Sequence, residues 1–300
     1  MTLHYDIRDP RFSKLIHMNA HLERLWSGGR WCEGPAWFPA GKYLIWSDIP
    51  NDRLMRWDST DGTVSVFQTP CGFHNGHTTD GEGRLVSCEH GGRRVSRIEH
   101  DGTVSVLADR YEGKQLNSPN DVVVKSDGSV WFTDPSYGID SDYEGHAAPS
   151  DIGARNVYRI APDGGVTLVI GDMVQPNGLA FSPDERILYV ADTGQTHDPD
   201  CLPVIRTYPV SSDGTGVGEG RDFVQSDCGL FDGFRLDTTG NIWTSAGDGV
   251  HCYSPEGDLL GKILIPEVVA NLCFMGPKRN RLAICATTSL YAIYVNARGL

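Results

Sequence analysis

The sequence predicts an all-β protein, a six-bladed β-propeller built from four-stranded antiparallel blades. Three observations point there. Composition is the first: 35 glycines and 17 prolines in 300 residues require many turns, and many turns imply many short strands. The second is a strand–turn–strand unit that recurs six times along the chain. The third is a mismatch between the ends, where the last unit is one strand short and the N-terminal segment has one to spare.

The units follow in order. The first, "EGPAWFPAGKYLIWSDIP" from Glu33, continues into "RLMRWD" and "TVSVFQT". The second, "NGHTTDGEGRLVSCEHG" from Asn75, continues into "RVSRIEH" and "TVSVLAD". The third starts at Asn120 with "NDVVVKSDGSVWFTDPSYG", is interrupted by the insertion "GIDSDYEGHAAPSDIGA", and resumes with "NVYRIAP" and "VTLVIGD". The fourth is "NGLAFSPDERILYVADTG" from Asn177 and the fifth "DGFRLDTTGNIWTSAGDG" from Asp232. Each sets strands rich in β-branched and aromatic residues around a turn of Gly, Asp or Pro. The repeat spacing of roughly 39 to 57 residues overlaps the lengths of propeller blades.

The sixth unit, "NLCFMGPKRNRLAICATT" from Asn271, reaches only one strand further, "LYAIYVNA". The segment "AHLERLWSGG" is therefore expected to supply its outer strand and to close the ring without a free edge. The expected organisation is a single domain over residues 1–300, with 1–20 an N-terminal extension and 21–300 the propeller.

The formal net charge of −13 opposes a phosphate backbone, which excludes nucleic acid as a natural partner and favours a bound cation. There is no apolar run long enough to span a membrane, and "MTLHYDIRDPRFSKLIHMNA" carries charge throughout, so the expected location is cytoplasmic. Eight cysteines stand singly, without CxxC spacing, and read as reduced core thiols.

Glu33, Asn75, Asn120, Asn177, Asp232 and Asn271 share one phase, immediately before the first strand of each unit. One Asn before Gly is an ordinary turn residue. Six in register, on the strands nearest a propeller axis, converge on one point instead. Carboxylate and amide oxygens are hard ligands, so one divalent ion is expected there, Ca²⁺ first, with Mg²⁺, Mn²⁺ or Zn²⁺ as other occupants.

A second set of acids, Asp48, Glu89, Asp134 and Asp192, ends the second strands and reads as hydrogen-bonding the next turn. Asp134 also precedes the insertion, which has the length of a lid. Within the insertion, residues 140–151 partly match the ligand spacing of an EF-hand loop, but Asp151 replaces the usual Glu and no flanking helices are evident; an acidic loop is expected. No GxSxG elbow or HExxH motif occurs. His74, His77, His90 and His251 are scattered and read as surface or turn residues, with His77 and His90 as alternative candidates for the channel.

The motifs "EGP" at Glu33, "SPNDVVV" at Asn120, "PNGLAFSPDE" at Asn177 and "DGF" at Asp232 resemble the gluconolactonase and regucalcin family of six-bladed propellers. This family also includes senescence marker protein and luciferin-regenerating enzyme. "FTDPSYG" and "CEHGGRRV" are similar to its bacterial gluconolactonase branch. The resemblance runs from about residue 21 to the C-terminus. It implies a divalent metal, usually calcium, held by Glu33, Asn120, Asn177 and Asp232, and hydrolysis of a sugar lactone, with gluconolactone the leading substrate. In that setting Asp232 is the candidate catalytic base, and Asn75, Asn120, Tyr137, Asp134, His90 and Arg93 are candidate substrate contacts. Two other readings stay open: phosphotriester hydrolysis at the same metal, and a calcium-binding propeller without catalysis.

Overall fold

The computed structural model describes residues 4–300. Six antiparallel sheets follow one another in chain order. Their innermost strands are Cys32–Phe38, His74–Thr79, Val122–Val124, Pro176–Phe181, Phe234–Leu236 and Val269–Met275, which define blades 1 to 6. Each innermost strand touches those on either side, and the sixth touches the first, so the ring is closed. No helix among the described residues is long and apolar enough to cross a membrane.

Burial grades outward from the axis. Innermost and second strands such as Cys32–Phe38 and Val130–Asp134 are buried along their whole length, because a blade is covered by a neighbour on each face. Trp46, Trp131 and Trp243, all on second strands, are fully buried between blades. The outer strand Val104–Ala108 instead exposes alternate residues. All eight cysteines are free thiols, and Cys32, Cys71, Cys88, Cys252, Cys273 and Cys285 are buried, as small apolar side chains would be.

The N-terminal segment closes the ring as its sequence predicts. Glu23–Ser27 pairs with Ser289–Tyr294 and becomes the outer strand of blade 6. Trp26 then packs edge-on against Trp46 of blade 1, with ring centroids 5.6 Å apart. Earlier in the chain, Tyr5–Ile7 adds a fifth strand to blade 5, with Tyr5 opposite Ile263 and Ile7 opposite Gly261. Phe12 follows it into the core beside Trp243.

Glycine after the polar residue has a purpose other than turning. Neither Gly76 nor Gly178 adopts positive φ. A Cβ on Gly178 would collide with the carbonyl oxygen of Asp232, and one on Gly76 with that of Asn120. Their amides donate to those same oxygens, at 3.1 and 2.7 Å. The Asn–Gly pairs therefore mark where backbones of adjacent blades meet at the axis, and this close approach is what packs the polar residues together.

Candidate active site

Glu33, Asn75, Asn120, Asn177 and Asp232 all line one cavity of about 360 Å³ at one mouth of the axis. Each is brought there by a local break in pairing. The ladders of blades 1, 2 and 4 skip between Glu33 and Ala36, His74 and His77, and Pro176 and Leu179. Pairing in blades 3 and 5 begins only at Val122 and Phe234. Freed from the sheet's alternation, the polar side chains turn inward.

The second-strand acids hold these breaks in place. Asp134 accepts the backbone amides of Asn117 and Ser118, both at 2.9 Å, just ahead of Asn120. Asp192 accepts those of Val174 and Gln175 at 3.0 and 2.9 Å, just ahead of Asn177, and Asp48 accepts that of Arg30 at 2.9 Å, ahead of Glu33. Asp192 and Asp48 also reach the following turn, through Gly194 N at 2.9 Å and Asn51 Nδ2 at 2.8 Å. The expected bond to the next turn is thus present at Asp48 and Asp192, beside a bond to the preceding one, whereas Asp134 holds only the preceding segment and Glu89 pairs with Arg94 at 2.8 Å. In an antiparallel blade the end of the second strand lies beside the start of the first.

Each cavity side chain is oriented by a partner behind it. Glu33, 2% exposed, accepts from Gly34 N at 2.7 Å and from Asn271 Nδ2 at 2.9 Å, both on Oε2. Its Oε1 is left to the cavity. Asn177 donates Nδ2 to Thr193 Oγ1 at 3.3 Å, which leaves its amide oxygen free. The Tyr137 hydroxyl is held between Thr193 Oγ1 at 2.7 Å and Thr196 Oγ1 at 2.9 Å. Asn271, sixth in the series, lies outside the cavity wall and acts as the holder of Glu33.

Electrostatics favour a cation. Burial, then the charge of Asp232, pushes the Glu33 carboxyl well above the usual range. Burial, then Glu144 and Asp121, pushes Asp232 up to about 8, with a hydrogen bond from Asn177 pulling the other way. The Arg235 guanidinium is committed elsewhere: it pairs with Asp121 at 3.2 Å. The buried Glu33 and half-buried Asp232 carboxylates thus face one cavity beside several amide oxygens, with Glu144 also at its wall and no cationic side chain lining it, an arrangement that favours entry of a cation. His and Cys are absent from this set, and no group of three or more His, Cys, Asp or Glu suited to a metal occurs among the described residues. The mixed carboxylate–amide donors fit a hard ion such as Ca²⁺.

The remaining candidates stand further back. His90 is fully buried behind Asn75, whose Nδ2 meets His90 Nε2 at 3.2 Å. Arg93 directs Nε to the carbonyls of Leu116 and Asn117 at 2.7 and 3.0 Å, and Asp134 is occupied by its two amides. His77 bridges Ser47 and Ser87, 2.8 Å to each, and ties blade 1 to blade 2. In the insertion, Asp140 pairs with His197 at 2.9 Å and Asp142 accepts Ala147 N at 2.9 Å, whereas Glu144 lines the cavity. Asp140, Asp142 and Glu144 therefore point to three separate places. Sequence reasoning noticed Glu144 only as part of that spacing.

Fold and site together define a class: six-bladed propellers with an acid–amide cage at one mouth of the axis. The chain belongs to the SMP-30/Gluconolactonase/LRE-like family, whose model matches residues 31–288. It is similar to the gluconolactonase of Zymomonas mobilis, 31% identical, with 97% of this chain and 85% of that protein covered. A pentonolactonase of Haloferax volcanii is 30% identical over 84% of this chain and 80% of its own. The solved structure of a gluconolactonase from Xanthomonas campestris superposes with a TM-score of 0.90 at 36% identity, covering 97% of this chain and 94% of that one.

Proposed function

We propose that this protein hydrolyses a sugar lactone, gluconolactone first among candidates, at a divalent-cation site formed by Glu33, Asn120, Asn177 and Asp232. One observation carries the reading: Glu33 and Asp232 face the same cavity without a cationic partner, in a chain similar to gluconolactonases along almost its whole length. The cavity sets Asn75, Tyr137, Thr193 and Thr196 against an apolar wall of Trp31, Leu230, Val268 and Val269, so its lining alone does not separate a sugar lactone from a phosphotriester; the similarity to gluconolactonases favours the lactone.

A Ca²⁺ held by Glu33, Asn120, Asn177 and Asp232 would supply Lewis acidity toward the lactone carbonyl. The chain's own groups do the rest. Asn271 and Gly34 fix Glu33, and Thr193 fixes Asn177, so the cage needs little rearrangement to receive its ligands. Asp232 accepts a proton from the attacking water at its carboxylate. The water oxygen bonds to the carbonyl carbon, the ring C–O bond breaks, and the ring oxygen leaves with the proton returned from Asp232. The product is the open-chain hydroxy acid.

Hydrolysis of glucono-1,5-lactone by metal-stripped protein tests this, with and without added Ca²⁺, Mg²⁺, Mn²⁺ or Zn²⁺ and with the spontaneous reaction subtracted. Turnover restored by metal is the expected result. Metal binding without turnover of any lactone would leave a non-catalytic calcium propeller as the better description.

A further inference from the structure

We infer that Glu144 is the residue through which the insertion selects polyhydroxylated lactones, its carboxylate accepting hydrogen bonds from substrate hydroxyls. The inference rests on the lactonase reading and adds a specificity-determining residue to it.

The backbone around Glu144 is built to aim this side chain. Gly138 and Gly145 lie so close that a Cβ on Gly145 would collide with the Gly138 carbonyl, and one on Gly138 would strike His90 and Ser118. Amides of His146 and Ala148 bond back to Gly138 O and Ile139 O, both at 3.0 Å, folding the insertion upon its own helical turn, Tyr137–Asp140. His90 Nδ1 then donates to the Glu144 carbonyl at 3.0 Å, which makes Nε2 the acceptor for Asn75 Nδ2. Burial, the main cause, lowers His90 to about 4, so the ring is neutral at neutral pH and this single tautomer persists. A continuous chain thus runs from the axial Asn75 through His90 to the insertion.

The Glu144 carboxylate itself has no hydrogen-bond or ion-pair partner among the described residues, while its neighbours Asp140 and Asp142 are both satisfied. It lines the cavity, where burial pushes it up to about 7. Glu144 is half-buried, and its unpaired carboxylate oxygens face the cavity, where donors on a ligand can replace the water that otherwise solvates them. Two ligands qualify, a cation or a hydroxylated molecule. Glu144 does not join Glu33 and Asp232 in a three-acid metal cluster. Lactone hydroxyls remain, and they are the donors that the ionised carboxylate requires.

The experiment compares the wild type with Glu144→Leu and Glu144→Gln on glucono-1,5-lactone and on unsubstituted δ-valerolactone, together with calorimetric binding of Ca²⁺ and of neutral D-glucitol to the calcium-loaded protein. Loss of a hydrogen bond to a charged acceptor predicts a fall in kcat/KM for gluconolactone on the order of 10- to 100-fold in Glu144→Leu. Glu144→Gln, which keeps an acceptor oxygen, is expected to recover part of it. δ-Valerolactone turnover and Ca²⁺ affinity should stay within about threefold of wild type, and glucitol binding should weaken by the same order as kcat/KM. Equal loss on both lactones with no recovery in Glu144→Gln would make Glu144 a proton acceptor; a large loss of Ca²⁺ affinity would make it a ligand; either overturns the inference. Where δ-valerolactone is not turned over, the glucitol measurement decides, and unchanged or undetectable binding overturns it too. A wild type inactive on every lactone overturns the lactonase reading itself, a separate outcome.

Discussion

Asn271 donates its side-chain amide to Glu33 Oε2 at 2.9 Å, across the joint between the last blade and the first. One oxygen of a candidate metal ligand is thereby fixed by a residue 238 positions away in sequence. Removing the donor in Asn271→Ala should weaken Ca²⁺ binding by about 1.5–3 kcal/mol, the range for a hydrogen bond to a charged group. Calorimetry on the stripped protein reads this directly, and an unchanged affinity would mean that Gly34 N alone is enough to orient the acid.

Asp232→Asn keeps an oxygen for a cation but removes the proton acceptor. A fall in kcat of at least about 10²-fold is expected. Ca²⁺ binding should persist, only weakened. Turnover near the wild-type level would exclude Asp232 as the base.

Both axial acids have native pKa values above their unfolded ones, Asp232 at about 8 and Glu33 well raised. Without metal the native state therefore holds more protons than the unfolded chain between roughly pH 4 and 8. This stabilising contribution is complete below the unfolded pKa and is lost as pH rises through the folded one. The metal-free Tm should accordingly drop from pH 6 to pH 9 more steeply in the wild type than in Asp232→Asn. Saturating Ca²⁺ should flatten the difference, and its binding near pH 7 should release protons.

Arg235 lies beneath the cage and neutralises Asp121, itself 1% exposed. Truncation in Arg235→Ala leaves that carboxylate buried and unpaired, which should cost about 3–5 kcal/mol in denaturant unfolding. The double variant Arg235→Ala/Asp121→Asn should recover much of the loss.

Gly178→Ala drives a methyl group into the Asp232 carbonyl. Expected destabilisation is about 1–3 kcal/mol by thermal melting, with a loss of lactonase activity out of proportion to the folded fraction, because the displaced segment carries Asp232. The same change at Gly102, whose Cβ position is open space but whose φ is +84°, should affect melting alone.

How much of this was legible in the sequence depended on whether a feature repeats. The six polar residues could be read because they recur in phase, and the closing strand near Trp26 because one blade lacked its partner. Glu144 sits in an insertion without a counterpart, so no comparison between repeats could place it. Asp121 and Arg235 directly adjoin or closely follow visible motifs, yet their pairing across 114 residues depends on how two blades rotate about the axis. Tyr5–Ile7 is three residues long, too short for alternation to register. Asn271 had the right phase but a different task, since a side chain just off the cavity wall looks the same in sequence as one on it.

The seam in blade 6 has a consequence for synthesis on the ribosome. Glu23–Ser27 emerges early but finds its partner only after the chain has been made through Tyr294, and Glu33 waits as long for Asn271. A nascent chain halted before the sixth blade can fold several sheets, yet it has neither a shut ring nor a finished cage. Premature products are thereby left inactive, with a single late event conferring both durability and chemistry.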